Sequence, residues 1–309
     1  MLIDTIRKKY EINELIAYGG FGKLYKITDK KIKTEFILKE LVKKKEESDN
    51  SYKKDNEINF LKYVKVKNIL NIIDYYEDDK DIFYYIVFEK MDGDLEKLMN
   101  EKYKNGMSSN LIRKIFSQIN SGLKDMLKEG QCHRDLKPSN ILYSYINKEK
   151  TDFVIKLCDF GLSTDLQSTF QYASNVGTKL FKAPEVEKGK KYSNKCDLYS
   201  IGIILYYLKT GECIFDGETE LEILINKDKN IIKRDTDDEL LNKLIKKLVV
   251  KDPNKRMEWD DYFKDPFFKV NDKDIKENIE GKMKNLNIDK KLNFEFKQNK
   301  DDINKKEVK

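Results

Sequence analysis

The stretch "CHRDLKPSN", Cys132 to Asn140, packs one histidine, two basic side chains, an aspartate and an asparagine into nine positions, and its reading decides the fold. Asp135 carries a carboxylate able to orient and deprotonate an alcohol. Lys137 brings a positive charge suited to a transferring phosphoryl group, and Asn140 an amide oxygen suited to a divalent metal. All three fall on a loop between a helical pattern and a strand pattern, where catalytic groups tend to lie.

Working outward, "CDFGLS" follows the alternating strand "FVIKL", and its Asp159 supplies a second hard oxygen donor for Mg²⁺. Far upstream, "AYGGFGKL" (Ala17 to Leu24) interrupts two apolar segments with glycines. Backbone N–H groups around Gly19, Gly20 and Gly22 could approach phosphate oxygens there; a tight hairpin alone would also explain the loop. The next strand pattern, "FILKEL", holds Lys39 between Leu38 and Leu41. If it points inward, this cation needs an anion, and Glu57 is the natural candidate. Glu57 stands in line with Phe60, Leu61 and Val64 at helical spacing. A phosphate cradle, a cation clamp, metal ligands and a hydroxyl-positioning carboxylate are the parts that phosphoryl transfer needs.

Composition bounds the alternatives. The 61 basic and 55 acidic residues give a formal charge of +6 that is mixed along the chain, so nucleic acid is not an expected partner. Cys132, Cys158, Cys196 and Cys213 are scattered and His133 is the single histidine, which argues against a structural zinc site or a disulfide framework. The N-terminus is too charged for a signal peptide, and "LYSIGIILYYL" (Leu198 to Leu208) is half a membrane span. The expected setting is the cytoplasm or the nucleus, without membrane insertion.

The first 90 residues read as strand-rich: a hairpin with a glycine tip, a third strand in "TEFILKELV", a helix in "NEINFLKYVKV", then strands in "ILNIIDYYED" and "DIFYYIVFEKM". From Asp94 the pattern turns helical, with "SSNLIRKIFSQINSGLKDMLKEG" carrying serines before its apolar run and Gly130 after it. Short strands return at 141–161, and helices resume after Pro184 up to about Phe268. The sheet-rich and helical parts meet near Met91 to Gly93. Residues 269–309 are lysine- and asparagine-rich, a solvated tail in which an autoinhibitory or partner-binding helix is the less favoured reading.

In order, "AYGGFGKL", the "FILK" lysine, Glu57, "HRDLKPSN", "DFG", "APE" (Ala183 to Glu185) and "DLYSIG" (Asp197 to Gly202) resemble the eukaryotic protein kinase family across roughly Tyr10 to Phe268. The resemblance implies an α+β, bilobal kinase-like fold. Its small antiparallel-sheet N-lobe would span about 10–90, and its larger, mainly helical C-lobe about 94–268. It implies ATP and Mg²⁺ as cofactors, with Asp135 as catalytic base and Lys137 assisting the phosphoryl group. Asn140 and Asp159 would hold the metal, and Lys39 would pair with Glu57. The nucleotide would lie under Ile16, Ala17, Tyr18, Gly19, Gly20, Phe21, Gly22, Lys23 and Leu24. Backbone groups of Glu89 and Met91 in "VFEKMDGDL" would bond the adenine, Phe88 would guard the back of the pocket, and Asp94 would accept from the ribose.

"LKPSN" together with "GTKLFKAPE" resembles the serine/threonine branch, which implies protein substrates. Ser139 stands where basic-directed members often carry glutamate, so no strong arginine preference is implied. Thr178 would bond Asp135 and Lys137, Glu185 would pair with Arg256, and Asp197 would brace the catalytic loop. His133 would pack under that loop. Arg134 would bind a phosphate on the activation segment, with Ser174 first and Thr169 second as the site, added by an upstream kinase or in trans. Two departures stand out: Ala17 replaces the family's first glycine, and the polar "SYINKEKTDF" lengthens a hairpin. A pseudokinase scaffold would lack one of the lysine, base or metal groups. A small-molecule kinase would not need the "APE" groove.

Overall fold

Alternation along "EFILKELV" sorts two sets of side chains onto opposite faces of a sheet. In the computed structural model, which describes residues 2–19, 22–42, 66–77, 82–159, 176–187 and 193–269, this stretch is β3 (Glu35–Val42). Beside it run β2 (Gly22–Asp29) and β5 (Phe83–Glu89), with β1 (Tyr10–Gly19) and β4 (Ile72–Glu77) outermost. The order is β1-β2-β3-β5-β4, antiparallel throughout. Phe36 and Leu38 join Ile27, Tyr85 and Val87 on one face. Leu41, Tyr84, Ile86 and Phe88 form the other, with Ile37 packed against them, and Cys158 from the helical lobe lies in that cluster. Lys39 has the parity of this second face and stands opposite Ile86.

A short helix, α1 (Leu2–Lys9), precedes the sheet and was not anticipated. Eight residues are too few to hold a helix by propensity alone. Ile6 is fully buried in the Phe36–Leu38 face, and Lys9 Nζ reaches Asp74 of β4 at 2.8 Å. Tertiary contacts supply the stability, and the core of the sheet lobe therefore begins before Tyr10.

The glycine hairpin closes with Gly19 opposite Gly22, while Gly20 and Phe21 lie outside the described residues. Gly22 has φ +113°, and a Cβ there would sit 1.8 Å from the Glu40 carbonyl oxygen. The Gly22→Ala protein is expected to lose about 1–3 kcal/mol, the cost of one strained backbone position. A thermal melt superimposed on that of the parent would refute this. Ala17, paired with Leu24 in the strand, has no positive φ, so its methyl strains no backbone.

Beyond the hinge, β6 (Gly93–Asp94), β7 (Ile141–Tyr145) and β8 (Phe153–Leu157) form a small second sheet. Among the described residues the further helices are α2 (Leu95–Lys102), α3 (Ser109–Lys128), α4 (Val176–Phe181), α5 (Pro184–Glu187), α6 (Lys195–Thr210), α7 (Glu220–Lys229), α8 (Glu239–Leu248) and α9 (Trp259–Phe263). Ser108 caps α3 by accepting the Leu111 N–H, as the serines before its apolar run led us to expect. α4 opens before Pro184, earlier than the sequence pattern suggested. "LYSIGIILYYL" is the buried body of α6, and no helix among the described residues is long and apolar enough to cross a membrane.

The lobes meet in part through backbone. Leu70 N–H donates to Leu157 O, and Leu157 N–H to Asn68 O, both at 2.9 Å. The architecture is the expected bilobal one, a small antiparallel sheet over a larger helical lobe. Pro266 onward separates as a second unit, described only through the 3₁₀ turn Pro266–Phe268 and Lys269.

Candidate active site

The loop that carries Asp135 is fastened from below by α6. Asp197 accepts the backbone N–H of His133 on one oxygen and that of Arg134 on the other, each at 2.7 Å. Burial raises the Asp197 carboxyl above its usual range, and the His133 and Arg134 groups beside it oppose that shift. Arg134 sits at φ +67°, a strained conformation for a residue with a Cβ. The paired hydrogen bonds hold it there. His133 is wholly buried, and burial pushes its imidazole below the ordinary value. It packs under the loop, as the resemblance implied.

Asp135 is itself buried, and its two oxygens face different groups. Oδ2 accepts Asn140 Nδ2 at 3.0 Å and lies 3.1 Å from Lys137 Nζ. Oδ1 is 3.9 Å from Lys182 Nζ. Asn140 also donates to the Asp135 carbonyl at 2.8 Å, and its own carbonyl accepts the Cys158 N–H at 3.0 Å. That last bond couples the Asp135 loop to the residue before Asp159.

Asp159 has φ +58°, the second strained residue of the site. Its Oδ1 meets Lys39 Nζ at 2.5 Å, joining the sheet lobe to the helical lobe across 120 residues. The Lys39 ammonium holds the Asp159 carboxyl below its usual range, against the opposing effect of burial. Lys39 thus points inward and has an anion, but the anion observed is Asp159. Glu57, the partner proposed from sequence, lies outside the described residues, as do Ser174 and Thr169. Thr178 falls within α4, but its side chain is not described.

The donor set can be tested for a metal. Asn140 turns its amide nitrogen to Asp135, which leaves the amide oxygen for a cation. With the Asp159 carboxylate it makes a hard-oxygen pair of the kind Mg²⁺ takes when phosphate oxygens complete its shell. Among the described residues no cluster of three His, Cys, Asp or Glu side chains could hold a metal alone. These residues fit a cation that arrives with a phosphate ligand.

At the hinge, Phe88 packs in the cluster that also contains Cys158, with Met91 and Leu142 against it. Glu89 has side-chain work of its own: Oε1 meets Lys156 Nζ at 2.5 Å and accepts the Asn71 N–H at 2.9 Å. Asp94 caps α2, accepting the Lys97 N–H on Oδ1 at 2.8 Å. Along the hairpin above, Ile16 and Tyr18 are exposed, and Lys23 pairs with Glu40 at 3.2 Å.

Two lysines of this region went unnoticed in the sequence. Lys182, in the turn between α4 and α5, faces Asp135, and burial lowers its pKa against the pull of that carboxylate. Lys227 of α7 is buried, donates to the Lys179 carbonyl and pairs with Glu187 at 2.8 Å. It ties down the end of α4. The buried fork of Arg256 on Glu185, at 2.8 and 3.2 Å, is present as the resemblance implied.

A family model described as "Protein kinase domain" matches residues 10–268. Calcium-dependent protein kinase 4 of Plasmodium falciparum is 32% identical over 226 residues, 71% of this chain and 41% of that kinase. The kinase of the same name from Plasmodium berghei is 33% identical over 224 residues, with the same coverage of each chain. Human Serine/threonine-protein kinase ULK1 is 29% identical over 274 residues, 85% of this chain and 26% of that protein. The chain therefore matches well under half the length of each of these relatives.

Proposed function

Because the chain belongs to the protein kinase family, we propose that it is an ATP- and Mg²⁺-dependent serine/threonine kinase that phosphorylates protein hydroxyls. The observation that carries this reading is the Lys39–Asp159 pair at 2.5 Å, set beside a loop whose Asp135 is flanked by Lys137 and Asn140. Nothing in that set is missing that a pseudokinase would lack among these groups. Bound Mg²⁺–ATP would supply the electrophilic phosphorus and neutralise its charge. Asn140 and Asp159 would hold the metal, and Lys39 the phosphates. Asp135 would orient the acceptor hydroxyl and take its proton, while Lys137 stabilises charge on the transferring group.

The serine/threonine assignment draws on "LKPSN" and "GTKLFKAPE", and on the human relative, itself a serine/threonine-protein kinase by name. The test is transfer of radiolabel from ATP to an array of serine, threonine and tyrosine peptides, with the Lys39→Met protein as control. Label on serine or threonine peptides, dependent on Mg²⁺ and absent from the control, is the expected result. Label confined to tyrosine, or no label with ATP bound, would overturn the assignment.

A further inference from the structure

Charge is mixed along the chain, but the fold segregates some of it. The last turn of α1 carries Arg7, Lys8 and Lys9, and the turn between β2 and β3 carries Lys30, Lys31 and Lys33. Lys30 joins the two segments: its N–H donates to the Lys9 carbonyl at 3.0 Å and its Nζ to the Arg7 carbonyl at 2.6 Å. All six residues are exposed. Among the described residues, Lys9 alone of the six pairs with a carboxylate, that of Asp74. Asp29, beneath the turn, is 5% exposed and accepts the N–H groups of Lys31 and Ile32 on Oδ1. Asp4 and Glu11 are the exposed carboxylates nearest along the chain, two against six, so the outward charge is positive. Lys33 stands at φ +57°, a conformation that glycine and asparagine adopt more readily. Ile32, between Lys31 and Lys33, is 39% exposed.

We propose that this patch docks the chain peripherally on a membrane surface rich in anionic phospholipid. Exposed cations on flexible stems, most of them held by no carboxylate, suit a fluid field of headgroups, where each adds a small, salt-sensitive increment. Ile32 then has a use. An apolar side chain flanked by ammonium groups enters the headgroup boundary, whereas a polynucleotide would leave it in water. Neither segment has an exposed aromatic ring on which bases could stack. Attachment here leaves the glycine hairpin clear, because β2 runs eight residues from Gly22 to Asp29, roughly 25 Å. The inference stands apart from the kinase reading and concerns where the chain is held.

The test is sedimentation of the full chain with phosphatidylcholine vesicles, with and without about 30% phosphatidylserine. Binding only to the vesicles that contain phosphatidylserine, lost at about 0.5 M salt, is the expected result. The quadruple variant Arg7→Gln, Lys8→Gln, Lys31→Gln, Lys33→Gln should bind at least about 30-fold more weakly, at roughly two- to fivefold per cation. It should melt like the parent, since these four side chains hold no partner among the described residues. Ile32→Ser should weaken vesicle binding and leave any binding to a single-stranded polynucleotide unchanged. The lysines of residues 269–309 are untouched by these substitutions. A quadruple variant that binds vesicles as the parent does would therefore place the contact elsewhere and overturn the inference. Absence of binding, equal binding to both kinds of vesicle, or an Ile32→Ser protein with parental affinity would overturn it as well. So would a quadruple variant that loses polynucleotide binding while its vesicle binding survives.

Discussion

The Asp135→Asn protein is expected to turn over at least ~10²-fold more slowly, with KM for ATP within about threefold of the parent. Asparagine has nearly the same shape but cannot accept a proton, so the loss should fall on the transition state. The proposed nucleotide contacts lie on other elements: Lys39 on β3, Asp159 after β8, and the hinge after β5. A fold effect is the competing explanation, because Lys137 and Lys182 would lose the carboxylate between them. The melting temperature distinguishes the two. A protein that melts like its parent, binds Mg²⁺–ATP and turns over at the parental rate would remove Asp135 from the chemistry.

How much of this site the sequence disclosed depended on separation along the chain. Asp135, Lys137 and Asn140 are within six positions of one another, so one loop had to bring them together. The alternation in "EFILKELV" similarly fixed the parity of Lys39. Its anion was another matter. A contact between residues 120 apart, such as Lys39 with Asp159, leaves no periodic trace. Nothing in "GTKLFKAPE" marks Lys182, because only the fold turns it toward Asp135. α1 was missed for a different reason: its stability is tertiary, from Ile6 inside the sheet lobe, and eight charged-rich residues announce nothing. Asp94 could have been recognised. An aspartate just before "LEKLM" is an N-cap signal, legible from local sequence alone. The strands β1 to β5 and the turn to helices near Met91 were legible because alternation and helical period are local properties.

The Arg256→Met protein should be the least stable of the single variants, down by about 3–5 kcal/mol, as expected when one partner of a buried ion pair is removed. Arg256 is 2% exposed and binds more than Glu185. Its guanidinium donates to the carbonyls of Val250 and Lys195 as well, and it lies over the Tyr199 ring at 5.1 Å. One side chain therefore fastens α5, the start of α6 and the segment after α8. Methionine fills similar length but leaves a buried carboxylate and two carbonyls without these donors, which is where the cost arises. At roughly 2–4 °C per kcal/mol for a domain of this size, the melting temperature should fall by roughly 6–20 °C. Pairing Arg256→Met with Glu185→Leu removes the stranded charge and should recover part of the loss, since the two side chains are directly coupled. A single variant that melts within 2 °C of the parent, a threshold of about 1 kcal/mol, would mean that the fork contributes no net stability. A double variant no more stable than Arg256→Met would place the cost in the carbonyls that Arg256 serves, not in Glu185.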